Sequence, residues 1–214
     1  IESSVVMADD RVYFANSGGR IVGLDISDVR SGVAPIVFDY WAGDDIDATL
    51  VADSDGMIYA AIEFERRTDR ALEVGQLIKL DPYADGDPRL WGVDVPPIEP
   101  GDGGIWATPA LGDGHLYVTT HTGDLLTVDT EMGDDTDRQD VGPHAWSSPA
   151  IVEGDLLVAT CETAELRRYD LAVPASPVLV WSAVSAQGCL ESTPAVWDGV
   201  IYVGSRDGFM RAYR

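Results

Sequence analysis

Five stretches of this 214-residue chain obey one grammar. Each begins with a small or hydroxyl-bearing pair ahead of an apolar run: Ser3-Ser4, Ala48-Thr49, Ala107-Thr108, Ser147-Ser148 and Ser192-Thr193. Proline follows in the last three, at Pro109, Pro149 and Pro194. A turn and a second run come next: DDRVYFAN (9–16), DGMIYAAI (55–62), DGHLYVTT (113–120), EGDLLVAT (153–160) and DGVIYVGS (198–205). A third run follows in each: GRIVGLD (19–25), GQLIKLD (75–81), GDLLTVD (123–129), AELRRYD (164–170) and GFMRAYR (208–214). Four of these end on aspartate, at Asp25, Asp81, Asp129 and Asp170, separated by 56, 48 and 41 residues. A period of that size is the mark of a repeat architecture. A fourth run is present in VFDYW (37–41), PRLWGVDV (88–95) and VLVWSAV (178–184), while the third repeat offers only RQDV (138–141).

The runs are short, rich in Val, Ile, Leu and Tyr, and bounded by Asp-Gly or Gly-Asp, which is the pattern of strands joined by tight turns. Asp and Gly supply the positive-φ positions that such hairpins need. No window sustains a 3.6-residue period, so helix should be minimal. One four-stranded meander cannot bury both of its faces, whereas meanders stacked side by side around an axis do. The chain is therefore expected to be all-β, a β-propeller of four-stranded antiparallel blades. The blades fall at about 1–45, 46–101, 102–144, 145–188 and 189–214, a single propeller domain of about 4.75 blades.

Residues 192–213, STPAVWDGVIYVGSRDGFMRAY, carry the fullest copy of the repeat. It resembles the pyrroloquinoline-quinone (PQQ) type of propeller repeat, and the resemblance extends over nearly the whole chain. The long second repeat, with its loop from Glu63 to Gly75, resembles propellers of bacterial secreted proteins. Complete rings of this type usually hold seven or eight blades. The resemblance thus implies a piece of a larger ring, completed by the same longer chain or by another subunit; a closed five-bladed ring is the alternative. It also implies that Trp91 and Trp181, with Trp41 beside them in pattern, dock each outer strand against the next blade. The third repeat lacks this tryptophan.

Charge narrows the partners. Thirty-seven acidic residues face 14 basic ones, for a net −23, and Lys79 is the sole lysine. Such a surface repels phosphate backbones, which excludes nucleic acid. A saline habitat or a GC-rich genome accounts for the acidity as well as an acidic binding face does. No apolar run approaches the roughly 20 residues needed to cross a bilayer. The chain starts at Ile1, consistent with a processed or trimmed amino terminus.

Rotational repetition picks out a candidate ring at the mouth of the channel. Three residues before the proline position stand Glu2, Asp47, Trp106, Trp146 and Glu191, which could hold a metal ion or clamp a flat ligand, or simply line a wet channel. In quinoproteins, cofactor and calcium sit in this region. This sequence lacks the adjacent cysteine pair that many of those enzymes carry and a matched calcium set with a catalytic aspartate, so neither PQQ nor calcium is expected. Asp81, Asp85 and Asp87 in DPYADGD, and Asp134, Asp135 and Asp137 in GDDTD, invite a calcium reading but lack a closing glutamate, and solvated turns are preferred. His115, His121 and His144 show no metal spacing, and His121 reads as a surface residue of the turn THTGD. Cys161 and Cys189 fall on one rim of adjacent blades, where a disulfide suits a secreted protein; two buried thiols are the alternative.

No nucleophile elbow, phosphate loop or dinucleotide fingerprint is present. The favoured reading is a non-catalytic extracytoplasmic bacterial propeller, similar in its repeat to outer-membrane-assembly proteins of the BamB type, that binds a protein or small ligand at its face. A PQQ- and calcium-dependent quinoprotein oxidoreductase, or a fragment of one, is the second reading. A structural segment of a large cell-surface protein is the third.

Overall fold

The computed structural model describes residues 1, 3–95, 97, 103–184 and 187–214. Among them are nineteen strands in five antiparallel meanders, four of four strands and one of three. The fold is all-β and the sheets are propeller blades in kind. Two compact units result, Ile1–Trp106 and Ala107–Arg214.

The first unit holds two sheets. One runs β1 (Val6–Ala8), β2 (Arg11–Ala15), β3 (Arg20–Asp25), β4 (Ile36–Trp41); the other runs β5 (Val51–Ala52), β6 (Ile58–Ala61), β7 (Leu77–Leu80), β8 (Arg89–Val93). Their core gathers Tyr13, Ile21, Phe38, Tyr40, Leu50, Ile58, Ile78 and Leu80. Gly23 is required there, because a Cβ would stand 2.6 Å from the Tyr13 ring. The only α-helix among the described residues, α1 (Asp69–Val74), sits inside the long loop of the second sheet. Thr68 caps it, accepting from the Ala71 N–H at 3.1 Å while its own hydroxyl donates to the Gly43 carbonyl at 2.9 Å. Six residues make fewer than two turns, too short for a 3.6 period to register in the sequence.

The second unit holds three sheets. They are β9 (Ala110–Gly112) to β12 (Asp135–Asp140) through β10 (His115–Thr119) and β11 (Asp124–Asp129); β13 (Ala150–Val152), β14 (Asp155–Ala159), β15 (Glu165–Asp170), β16 (Val178–Val184); and β17 (Ala195–Trp197), β18 (Val200–Gly204), β19 (Met210–Tyr213). Tyr117, Leu125, Leu156, Val158 and Tyr169 pack between the first two of these sheets. A smaller cluster of Ala159, Leu166, Leu190 and Val203 joins the last two. Beside it a groove of about 670 Å³ is lined by Val180, Trp181, Val196, Ile201 and Tyr213.

The outer strand of the third sheet corrects the expectation from RQDV: it begins at Asp135, with sequence DTDRQD. An outer strand needs little apolar content when side-chain bonds hold it. Arg138 pairs with both Asp135 and Asp124, at 2.9 and 3.2 Å, and Gln139 donates to the Pro177 carbonyl at 2.6 Å.

The aspartates that close the third strands have a shared task. Each side chain accepts the backbone N–H two residues on: Asp25 from Ser27 (2.8 Å), Asp81 from Tyr83 (2.8 Å), Asp129 from Glu131 (2.9 Å) and Asp170 from Ala172 (2.7 Å). These are Asx-turns, which reverse the chain after the strand. The repeat therefore ends on Asp because a short carboxylate is the acceptor that the turn uses.

The hydroxyl pairs tie each innermost strand to its neighbour. Thr49 Oγ1 accepts from the Ser4 N–H at 3.2 Å, and Ser148 Oγ accepts from the Thr108 N–H at 2.9 Å. Ser147, fully buried, donates to the Ser192 carbonyl at 3.0 Å, and its own carbonyl accepts from Thr119 Oγ1 at 2.8 Å.

Trp181 meets Tyr213 of the following sheet edge-on, with centroids 5.9 Å apart, as the repeat implies. Trp91 contacts Tyr59 of its own sheet at 5.9 Å. Trp41 departs from the expectation. It is 52% exposed, and its indole N–H donates to the Gly18 carbonyl in the β2–β3 turn of its own sheet at 3.1 Å. That free carbonyl at the strand end gives the indole a partner at hand.

Replacing Ser147 by Ala is expected to cost about 0.5–1.5 kcal/mol, the net contribution of one hydrogen bond, since the exposed Ser192 loses the donor to its carbonyl and can turn to water instead. Urea unfolding of the two proteins measures it; an unchanged midpoint would show that the tie contributes nothing.

Candidate functional site

A second ring position emerges once the turns are in place. Four residues beyond the second-strand position held by Tyr13, Tyr59, Tyr117, Leu157 and Tyr202 stand Ser17, Glu63, His121, Cys161 and Arg206. In the second unit, the last three of these reach the residues that lead into an innermost strand.

The local cause is the turn itself. Thr120 Oγ1 accepts from the Asp124 N–H at 3.0 Å, folding the hairpin between β10 and β11. Gly123, at φ +107°, lies so close to the next segment that a Cβ would stand 2.6 Å from the Gly142 carbonyl carbon. Its carbonyl accepts from the Val141 N–H at 2.7 Å, and the His144 N–H donates to the His121 carbonyl at 2.9 Å. Residues 141–146 are thereby laid against the turn.

Three rings meet there. Trp146 Nε1 donates to His121 Nδ1 at 2.9 Å; an indole N–H can only donate, so His121 carries its proton on Nε2. The His121 and His144 ring centroids are 5.0 Å apart, and the Trp146 ring lies 5.8 and 5.2 Å from them. His144 Nδ1 bonds Glu162 Oε1 at 2.9 Å. The Arg206 guanidinium lies 5.4 Å from the Trp146 ring centre and grips Glu191 with two bonds, 2.7 Å to Oε2 and 2.5 Å to Oε1. Indole and imidazole faces beside fixed charges can accept an aromatic or cationic group.

Beside this cluster Cys161 and Cys189 form a disulfide across 28 residues. Flanking backbone bonds share the load: the Leu190 N–H donates to the Thr160 carbonyl at 3.3 Å, and the Arg206 N–H to the Cys189 carbonyl at 3.0 Å. Ring chemistry and covalent bracing therefore share one rim of the second unit.

In the first unit, Asp47 stands near Glu63. Glu63 is 2% exposed, and its Oε1 has no hydrogen-bond partner among the described residues. Burial first, and then the charges of Asp47, Glu65, Asp45 and Asp44, raise its pKa to about 8. Asp44 is fully buried but well served: its carboxylate accepts from the Arg66 N–H at 3.1 Å and the Arg67 N–H at 2.8 Å, fastening the start of the long loop.

Of the five channel-mouth candidates, Glu2 lies outside the described residues. Asp47 and Trp106 belong to the first unit, and Trp146 and Glu191 to the second, where Arg206 brings them together. Asp81 and Asp87 are spent on turn N–H groups, of Tyr83 at 2.8 Å and Arg89 at 3.0 Å, while Asp85 is exposed. Among the described residues no group of three or more His, Cys, Asp or Glu side chains is placed to hold a metal ion. His121 corrects the surface reading of THTGD, since its ring accepts a hydrogen bond and contacts two others. Glu162, Arg206 and Glu63 are not marked out by the sequence pattern; counting four residues on from the strand tyrosines finds two of them.

The model of a family described as outer membrane protein assembly factor BamB matches residues 74–214. The crystal structure of BamB from Moraxella catarrhalis matches with a TM-score of 0.72 at 18% identity, covering 99% of this chain and 57% of that one. A chain of the mitotic checkpoint complex matches at 0.67 and 11% identity, covering 99% and 60%. The computationally designed Ika8 protein matches at 0.54 and 9%, covering 99% and 70%. This chain thus spans little more than half the length of the BamB structure. No curated protein sequence matches.

Replacing both Cys161 and Cys189 by Ser is expected to lower stability by about 3–4 kcal/mol, from the chain entropy of a loop of this length. Urea unfolding with and without reductant measures it. Reductant should shift the wild-type curve and leave the double variant unmoved.

Proposed function

The chain belongs to the family of the outer membrane protein assembly factor BamB, and we propose that it acts as a non-catalytic, extracytoplasmic β-propeller module that binds a protein partner through its rim. The observation that carries this reading is the fixed cluster of His121, His144, Trp146, Glu162, Glu191 and Arg206. A surface whose aromatic and charged side chains are already held in place loses little freedom on binding. Trp and Arg are also the residue types that dominate binding energy at interfaces. Membership of the BamB family supports the non-catalytic part. The Cys161–Cys189 bond supports an oxidising, extracytoplasmic setting.

The channel-mouth carboxylate Glu191 offers little to a calcium ion. Calcium needs six to eight oxygens, and both Glu191 oxygens are engaged by Arg206. We read the module as working without PQQ or calcium.

A photo-crosslinking residue at Glu162, in cells making the protein, is expected to trap one envelope protein, and Trp146→Ala is expected to weaken binding of that purified protein at least about tenfold with the fold intact by circular dichroism. Equal trapping from a probe at Asp198 would overturn the rim assignment. Addition of PQQ with calcium is expected to give no bound-cofactor absorbance; a saturable band would favour the quinoprotein reading instead.

A further inference from the structure

The first unit contains a buried acid that the binding role leaves unused. Glu63 lies just beyond β6, and its backbone is pinned on two sides. Its N–H donates to the Asp45 carbonyl at 2.9 Å, and it forms an antiparallel bridge with Gly104. Around that bridge the Phe64 N–H donates to the Gly103 carbonyl at 3.1 Å and the Ile105 N–H to the Ile62 carbonyl at 2.9 Å. Gly104, at φ +76°, approaches so closely that a Cβ would stand 2.5 Å from the Ile62 oxygen. There is no slack in this junction. The side chain beside it is 2% exposed.

What surrounds the carboxyl is negative. Asp44, Asp45 and Asp47 face it from the segment after β4, and Glu65 from its own loop. Arg66 pairs with Asp45 at 3.5 Å. The backbone N–H groups of Arg66 and Arg67 are taken by Asp44. A buried carboxylate with an oxygen lacking any donor, among like charges, is far more costly than the neutral acid in the same place.

We propose that Glu63 is a proton-binding site that latches the first unit: its carboxyl is held protonated at neutral pH, and release of that proton loosens the backbone ties between 62–64 and 103–105. The class of ligand is the proton itself. Parting those ties exposes the side chain to water, where a glutamate ionises near its ordinary 4.5, whereas the latched carboxyl holds its proton to about 8. The latched state therefore binds more protons between those values, and its advantage is greatest in acid. It should fall by about tenfold for each pH unit as pH rises through that window, and level off above it, where both states are ionised.

Two measurements on the intact chain test this. Amide hydrogen exchange at Phe64 and Ile105, corrected for intrinsic rates, should show protection falling from pH 5 to 8 and then flattening. In Glu63→Gln, protection should stay level across the same range. Difference infrared spectra of wild-type protein labelled with ¹³C-glutamate should show a protonated carboxyl band at pH 7 that disappears by pH 9; this needs no variant and holds even if Glu63→Gln fails to fold. Level protection in the wild type, an equal fall in the variant, or no such band at pH 7 would each overturn the proposal.

Discussion

A four-stranded meander with apolar side chains on both faces is not stable alone in water, and the rest of this structure follows from how that burial is achieved. Tyr13, Tyr59 and Tyr117 occupy one position of the repeat, and each is fully buried. Such side chains have no place on an isolated sheet; they require a second sheet laid over the first. Facing sheets then need fixed register, and the hydroxyl pairs provide it. Ser148 and Thr108, like Thr49 and Ser4, bond side chain to backbone between neighbouring innermost strands. Apolar burial brings the sheets together without direction, and the hydroxyl bonds select one alignment.

The strands were legible in the sequence because their pattern is local. Apolar residues between Asp-Gly turns, with an aspartate at the close of the third strand, place most elements within a residue or two. What failed was also local in origin. The strand Asp135–Asp140 has no apolar run to announce it, because its hold is through Arg138 and Gln139. Trp41 matches its counterparts in pattern, yet its partner is a turn carbonyl that no pattern of hydrophobicity reveals. The aspartates punctuate the repeat in the sequence, while their hydrogen bonds to the following N–H groups exist only in the fold.

The candidate site was less legible, for a different reason. Its members come from separate turns, and their meeting depends on the close approach at Gly123 and on the bond from His144 N–H to the His121 carbonyl. What the sequence offers for the three histidines is their spacing, which fits no metal motif. It could not reveal that two of them flank an indole. Trp146 and Glu191 are equivalent positions of the repeat, and Arg206 is the residue that makes them neighbours. The cysteine pairing was readable because rim placement in adjacent repeats already limits the distance.

Glu63, His121, Cys161 and Arg206 hold one position of the repeat, yet each meets its surroundings by different chemistry. Arg206 uses an ion pair and the face of an indole, Cys161 a covalent bond, and His121 a hydrogen bond from Trp146. Glu63 instead lies buried among carboxylates, with backbone bonds on either side. The turn backbone is what the repeat specifies, and the side chain that follows is left open to vary. A scaffold of this kind can therefore acquire a brace, a recognition surface and a titrating group at equivalent positions without altering its strands. Variation at this position is where the function of such a chain is to be sought, since the strands themselves are constrained by packing.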